Sequence, residues 1–111
     1  MNNFPKRGDI FWICLDPAIG SETQKTRPCI VLSNNAQNKK SLRVIIAPIT
    51  SNVKKIYPFE AILVVNGRKG KAMLDQIRSV DKKRLLKKIC SVDTIATIEI
   101  ERALKIALGL I

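Results

Sequence analysis

An arginine followed by a proline ends the longest loop that the sequence predicts. Residues 16–27 read Asp-Pro-Ala-Ile-Gly-Ser-Glu-Thr-Gln-Lys-Thr-Arg, and Pro28 and an apolar run come next. Long loops in small domains often carry function, and a proline restricts the preceding residue to an extended backbone. Arg27 would therefore project from the end of a strand, where a guanidinium can bind a phosphate through two parallel hydrogen bonds. A surface arginine without a task is the alternative.

A second polar cluster follows an apolar run near the middle of the chain. Residues 48–52 read Pro-Ile-Thr-Ser-Asn, and Lys54 and Lys55 follow. Hydroxyl groups beside cations suit a phosphate, and Tyr57 or Phe59 could stack on an unpaired base. The alternative is a polar turn with two aromatic rings that fill the core.

The composition limits the chemistry that these residues could do. The 111 residues include 20 Lys and Arg, nine Asp and Glu and no His, which gives a formal net charge of +11. A basic surface attracts nucleic acid or an anionic membrane, although excess lysine can also serve solubility alone. Without histidine, the chain lacks the usual acid and base of neutral-pH catalysis and the commonest zinc ligand. We expect no metal site.

The positive charge is concentrated in the middle third. Residues 39–71 hold eight basic residues and one acidic residue, whereas residues 1–38 have a net charge of +1 and residues 72–111 of +3. Most of the central charges lie between apolar runs, so we expect them to gather on one rim of the fold. They are Lys39, Lys40, Lys54, Lys55, Arg68, Lys69 and Lys71.

Cysteine usage and hydropathy predict a cytoplasmic protein. Cys14, Cys29 and Cys90 are odd in number, widely separated and set in apolar stretches. They suggest reduced core residues, not a disulfide framework or a metal knuckle. We find no signal sequence and no run long enough to span a membrane. The chain is expected to form one domain over residues 1–111.

Short apolar runs with turn residues between them favour a small antiparallel barrel. Predicted strands cover residues 10–15, 29–32, 42–47, 61–65, 71–77 and 89–92, and a single helical turn capped by Asp81 covers 81–86. After Asp93, the predicted N-cap, apolar residues recur at helical spacing. This amphipathic helix is expected to pack its stripe of Ala103, Leu104, Ala107, Leu108 and Ile111 on the sheet.

Six groups of residues stand in order along nearly the whole chain. They are Gly8-Asp9-Ile10; Asp16-Pro17 with Gly20-Ser21-Glu22; Arg27-Pro28 before the strand that ends in Ser33; Ala47-Pro48-Ile49-Thr50-Ser51; Tyr57-Pro58-Phe59-Glu60; and Asp75-Gln76-Ile77-Arg78-Ser79-Val80-Asp81 with Arg84-Leu85. Each group is a weak signal alone, but the six in register are a strong one. Together they resemble the MazF/PemK family of toxin endoribonucleases.

The resemblance implies a mainly β (α+β) fold, an SH3-like, CcdB-type barrel with a C-terminal helix. It also implies a homodimer, a cognate antitoxin, expected to be acidic, and metal-independent, sequence-specific cleavage of single-stranded RNA without a cofactor. The family's catalytic arginine and threonine fall on Arg27 and Thr50, and a loop glutamate implicated in some members falls on Glu22. We expect further RNA contacts from Ser51, Lys54, Lys55, Gln76 and Arg78.

Two departures from the family pattern concern the predicted site. Residues 23–26 read Thr-Gln-Lys-Thr where many relatives have a glycine or small residue, which predicts a stiffer and more basic loop. Met73 stands where the Kid branch has an arginine, so a catalytic role is not carried over to Asp75. Two other functions would fit a basic barrel: an RNA-binding module without catalysis, and a CcdB-like gyrase inhibitor.

Overall fold

The computed structural model describes residues 3–23 and 25–111. Within them, the chain forms seven strands, two α-helices and two single 3₁₀ turns. The strands are β1 (Asp9–Cys14), β2 (Thr26–Val31), β3 (Arg43–Thr50), β4 (Glu60–Val65), β5 (Arg68–Met73), β6 (Arg78–Asp81) and β7 (Leu85–Ser91). The helices are α1 (Asn35–Lys40) and α2 (Thr94–Ala107), and the 3₁₀ turns cover Leu74–Gln76 and Lys82–Arg84.

Strand β3 is the centre of a curled antiparallel sheet. The strand order is β4-β5-β3-β2-β1-β7, and β6 also pairs with β3. The first half of β3 pairs with β6 and its last two residues pair with β5, while β2 lies along its other edge. A strand that changes partner along one edge bends the sheet into a half-barrel. The predicted fold class, a small antiparallel barrel with a C-terminal helix, is confirmed.

The sheet is apolar on both faces, because alternate side chains point to opposite sides of a strand. On one face, Ile10 and Ile30 belong to a cluster that Ile100 and Ala103 of α2 cover. A second cluster lies on the other face. It consists of Ile13, Leu15, Cys29, Val31, Val44, Ile46 and Val80. The polar ends of β2 and β3 continue this second face.

Helix α2 begins where the sequence predicts and ends earlier. The Asp93 side chain caps it by accepting a hydrogen bond from the Ala96 amide at 2.8 Å. Leu108 and Ile111, assigned to the packed stripe, lie beyond the last helical turn and are exposed. Gly109 adopts a φ of 70°, a left-handed conformation that suits glycine and ends the helix.

The structure corrects three other predictions from hydropathy. The predicted strand 71–77 is interrupted, because the 3₁₀ turn that buries Leu74 redirects the chain into β6, which was not predicted. The strand predicted at 89–92 begins at Leu85, since its first half lies on a polar sheet edge and lacks an apolar pattern. The helical turn expected over 81–86 is the shorter 3₁₀ turn, with Asp81 as its cap.

Helix α1 was not predicted because it has no apolar stripe. Its order comes from side-chain hydrogen bonds, chiefly those of Asn38, which is fully buried. The side-chain oxygen of Asn38, Oδ1, accepts a hydrogen bond from the Ser33 hydroxyl at 2.5 Å. Its side-chain Nδ2 donates to the backbone carbonyl of Ser33 at 2.7 Å. Asn34 caps the helix by accepting from the Gln37 amide.

The three cysteines are free thiols. Cys29 is fully buried in the second apolar cluster, whereas Cys14 and Cys90 are half-buried. Burial raises the pKa of the Cys29 thiol to about 12, so it stays protonated and unreactive at neutral pH. In the described part of the chain, no helix is long and apolar enough to cross a membrane.

Candidate active site

The ends of β2 and β3 bring Arg27 and Thr50 into one cleft. Cys29 pairs with Pro48 in the β2–β3 ladder, and the same register continued by two residues sets Arg27 opposite Thr50. Opposite residues of an antiparallel pair point to the same face. Both side chains line a cleft of about 240 Å³, whose other walls are Glu22, Thr23, Ile49 and Met73. The three residues predicted to be catalytic therefore border one space.

Glu22 reaches this cleft from the loop that joins β1 to β2, residues 15–25 (the β1–β2 loop). Its Oε1 accepts a hydrogen bond from the Ile19 amide at 2.7 Å, which closes a tight turn within the loop. At the loop's base, the Leu15 amide donates to the Lys25 carbonyl at 2.9 Å. The Lys25 amide donates to Asp16 Oδ1 at 2.8 Å. Gln24, part of the segment predicted to be stiffer, lies outside the described residues.

A second cleft of about 280 Å³ adjoins the first, because Glu22 and Thr23 line both. Its lining is mostly polar. The remaining residues of its wall are Leu15, Ser21, Pro48, Asp75, Gln76, Ile77 and Arg78. The two predicted RNA contacts in this set, Gln76 and Arg78, therefore lie one cleft away from Arg27 and Thr50.

Both of these residues also hold the β1–β2 loop. Gln76 Oε1 accepts hydrogen bonds from the Thr23 amide at 3.0 Å and from the Thr23 hydroxyl at 2.7 Å. Arg78 Nη1 donates to the Leu15 carbonyl at 3.2 Å. Arg84, which the sequence analysis did not assign to the site, donates to the carbonyls of Cys14 and Asp16. The loop that carries Glu22 is thus fastened at its start and near its end.

The other predicted RNA contacts lie on the loop between β3 and β4, residues 51–59 (the β3–β4 loop). They are Ser51, Lys54 and Lys55. All three are exposed, and they line neither of the two clefts. The loop turns tightly, since the Asn52 amide donates to Thr50 Oγ1 at 3.2 Å. Their position beside the cleft leaves them available to a ligand that extends out of it.

The two aromatic residues of the β3–β4 loop stack on each other. The rings of Tyr57 and Phe59 are parallel within 4°, with centroids 5.4 Å apart. Lys55 Nζ lies 4.9 Å from the centroid of the Tyr57 ring, a distance typical of a cation–π contact. Tyr57 remains 41% exposed, so it is neither a pure core residue nor a bare stacking surface.

The structure corrects the expectation that the central positive charges share one rim. Lys39 and Lys40 end α1 beside the start of β3, whereas Lys54 and Lys55 follow its last residue. The two pairs therefore lie at opposite ends of an eight-residue strand, which is about 25 Å long. Arg68 and Lys69 join the second group, because β5 runs antiparallel to β3 from the Thr50 end.

Lys71 belongs to neither group of charges, because it is buried within β5. Its Nζ forms an ion pair with Glu60 Oε1 at 2.9 Å, and the two side chains are only 10% and 6% exposed. Sequence reasoning missed this pair because Lys71 ends the basic run that begins at Arg68, and such a lysine is expected in a turn. No local pattern in the sequence indicates that its side chain is buried.

The described residues offer no cluster of three or more His, Cys, Asp and Glu side chains that could hold a metal ion. The chemistry available in the first cleft is that of a guanidinium, a hydroxyl and a carboxylate. Such a set can bind a phosphate, donate a hydrogen bond to it and accept a proton.

Comparisons with known proteins agree with this fold. The family model for the PemK-like, MazF-like toxin of type II toxin-antitoxin systems matches residues 6–108. Endoribonuclease MazF9 of Mycobacterium tuberculosis is 38% identical over 114 residues, covering 95% of this chain and 97% of the relative. Endoribonuclease EndoA of Bacillus subtilis is 35% identical, with 96% of each chain covered.

Solved structures show the same architecture. MazF from Deinococcus radiodurans superposes with a TM-score of 0.84 at 30% identity, over 96% of this chain and 97% of that one. A mycobacterial endoribonuclease solved in complex with its cognate antitoxin shares the fold, with a TM-score of 0.82 at 24% identity over 96% and 97% of the two chains. Sequence and fold agree, and the chain belongs to the PemK-like, MazF-like toxins of type II toxin-antitoxin systems.

Proposed function

We propose that this toxin is a sequence-specific endoribonuclease that cleaves single-stranded RNA in the cleft at the ends of β2 and β3. The observation that carries the proposal is the convergence of Arg27, Thr50 and Glu22 on one cleft at the end of two paired strands. Relatives at 35–38% identity over nearly the whole chain are endoribonucleases.

RNA supplies its own nucleophile, so this site needs no nucleophilic side chain. The 2′-hydroxyl oxygen attacks the adjacent phosphorus, the bond from phosphorus to the 5′-oxygen breaks, and a 2′,3′-cyclic phosphate and a 5′-hydroxyl result. Hydrolysis of the cyclic product would give a 3′-phosphate. Enzyme groups must align the attack, stabilise the charge on the pentavalent phosphorus and move two protons.

Arg27 and Thr50 suit the electrostatic part of this reaction. A guanidinium can donate two parallel hydrogen bonds to non-bridging phosphate oxygens and so favours the added negative charge of the transition state. The Thr50 hydroxyl, half-buried on the same face, can donate one more. Arginine is a poor base because its guanidinium stays protonated in proteins, so it does not take the proton of the 2′-hydroxyl.

Glu22 is the proposed general base. Its Oε1 accepts from the Ile19 amide, which fixes the orientation of the carboxylate between the two clefts. A carboxylate within hydrogen-bond reach of the 2′-hydroxyl could take its proton as the P–O bond forms. Because a proton-transfer group typically contributes about 10²- to 10⁴-fold, loss of Glu22 should cost less than loss of Arg27 if the phosphate clamp dominates.

The partners proposed for this chain follow from the same site. We infer that it acts as a homodimer in the cytoplasm and is neutralised by an acidic cognate antitoxin, whose charge complements the +11 of the toxin. A mycobacterial homologue of the same fold has been solved with its cognate antitoxin, which supports the second part of this proposal.

The test is incubation of the purified protein with a long single-stranded RNA in EDTA, beside Arg27→Ala. We expect cleavage that persists in the chelator, new 5′-hydroxyl ends at a recurrent sequence, and a loss of at least about 10³-fold for Arg27→Ala. An oligonucleotide with 2′-deoxyribose at the scissile position should stay intact. Cleavage of that oligonucleotide, or near-full activity of Arg27→Ala, would overturn the mechanism.

A further inference from the structure

Lys71 and Glu60 form an ion pair beside the proposed active site, with side chains that are only 10% and 6% exposed. Their charged atoms lie 2.9 Å apart, on the adjacent strands β5 and β4. Taking two charges out of water is costly, and a well-packed apolar pair of similar size is often as stable or more stable. What the charged pair provides, and an apolar pair could not, is hydrogen bonding.

Both partners bind the backbone of the β3–β4 loop. Lys71 Nζ donates a second hydrogen bond, to the Lys55 carbonyl, at 2.8 Å. Glu60 Oε1 accepts a second one from the Tyr57 amide at 2.9 Å. The Glu60 amide in turn donates to the Tyr57 carbonyl at 2.9 Å. A methionine or leucine could fill the same space, but it could make neither bond to the loop.

The same lysine is directly opposite Thr50 in the β3–β5 register. The two strands approach closely there, since a Cβ atom added at Gly70 would lie 3.0 Å from the Thr50 carbonyl oxygen. At its start, the β3–β4 loop is held by the bond from the Asn52 amide to Thr50 Oγ1. Thr50 and Lys71 thus fasten the two ends of the segment that carries Lys54 and Lys55.

We propose that Lys71, acting with Glu60, is a positioning residue that holds the β3–β4 loop as a pre-formed wall for the RNA strand leaving the cleft. This inference rests on the proposed function for its substrate. The Lys71 ammonium binds the loop backbone and Glu60. The exposed ammonium groups of Lys54 and Lys55 are left to bind the RNA phosphates. A loop that is already ordered loses little entropy on binding, so the pair acts on KM and not on kcat.

Limited trypsin digestion of the free protein tests the positioning without RNA. The peptide bond after Lys55 contains the carbonyl that Lys71 holds, so we expect Lys71→Met to speed cleavage after Lys54 and Lys55 by at least tenfold. Lys69→Met is the matched control, because it removes the same charge from the same strand two residues away, where the side chain is exposed. If Lys71→Met leaves cleavage at this loop unchanged, or if Lys69→Met accelerates it equally, the proposal is overturned.

Steady-state cleavage of a fluorogenic RNA oligonucleotide provides the second measurement. We expect Lys71→Met to raise KM about tenfold with kcat within twofold of wild type, and Lys71→Arg, which keeps a donor, to restore most of the difference. A fall in kcat with unchanged KM would contradict a role in positioning the loop. If wild type fails to cleave any RNA, the proposed function fails, while the digestion still decides whether Lys71 holds the loop.

A lone buried charge can unfold a small domain, so the double variant Glu60→Gln, Lys71→Met accompanies the single one. It leaves no unpaired charge and keeps an acceptor for the Tyr57 amide, but it still lacks the donor to Lys55. We expect a cooperative thermal transition and the same rapid cleavage after Lys54 and Lys55. Protection of the loop in this folded variant would contradict the proposal.

Discussion

Thr50 lies where three strands meet, and each neighbour constrains it differently. The extended β2 register sets Arg27 opposite it, β5 sets Lys71 opposite it on the other side, and its own hydroxyl accepts from the Asn52 amide. A hydroxyl can accept that bond and still donate its proton to a phosphate oxygen. The side chain is therefore both the start of the β3–β4 loop and a donor into the cleft.

Two substitutions of Thr50 distinguish the shape of its side chain from its hydroxyl group. Thr50→Val keeps the β-branched shape that suits a strand but removes the donor, so kcat/KM for RNA cleavage should fall about 10²-fold or more, as for other single donors to a charged transition state. Thr50→Ser keeps the hydroxyl and should stay within about tenfold of wild type. Activity of Thr50→Val equal to that of Thr50→Ser would remove the hydroxyl from the mechanism.

The residues of the site differ in how far sequence could predict them. Arg27 and Thr50 could be placed at the ends of strands, because Pro28 and the apolar runs mark where β2 and β3 lie. Lys71 could not, because its burial depends on the register of β4, β5 and β3, which long-range pairing sets. Whether Arg27, Thr50 and Glu22 catalyse the reaction remains a prediction.

At the scale of elements, the β1–β2 loop is held by side chains from a distant part of the chain. Gln76 binds Thr23, and Arg78 and Arg84 donate to carbonyls at the loop's base. From the sequence, Gln76 and Arg78 are expected to contact RNA alone, since a loop tether more than 50 residues away leaves no local pattern. Helix α1 was missed for a different reason: it has no apolar stripe, and its order depends on the local hydrogen bonds of the buried Asn38.

The tether from Gln76 to Thr23 predicts energetic coupling between two elements. Gln76→Ala removes the acceptor of two hydrogen bonds and should lower kcat/KM about thirtyfold, whereas Thr23→Val removes one hydroxyl donor and should lower it about fivefold, at roughly 1 kcal/mol for each bond. Because the two changes break the same contact, the double variant should lose less than the product of the single losses. The measurement is a double-mutant cycle on RNA cleavage. Strictly multiplicative losses would assign Gln76 to RNA contact and not to the loop.

At the scale of the whole molecule, the net charge of +11 has a location as well as a size. The sequence placed the excess in the middle third, but the fold sends Lys39 and Lys40 to one end of β3 and Lys54 and Lys55 to the other, beside Thr50. If RNA leaves the cleft along the β3–β4 loop, only the second pair can neutralise its phosphates at close range. A protein that attracted RNA by total charge alone would use both pairs equally.

Two double variants with the same change in charge distinguish these cases. Lys54→Gln with Lys55→Gln should weaken binding of a non-cleavable RNA analogue, with 2′-O-methyl groups throughout, by about tenfold or more near 50 mM salt. It should also reduce the slope of log Kd against log salt by about 1.4, since each phosphate contact on a single strand contributes roughly 0.7. Lys39→Gln with Lys40→Gln should stay within about twofold in affinity and leave the slope unchanged, because charges about 25 Å away lie beyond the screening length of roughly 10 Å at 0.1 M salt. Equal effects of the two variants would mean that RNA binding depends on the total charge of the protein, and that the RNA does not run along the β3–β4 loop.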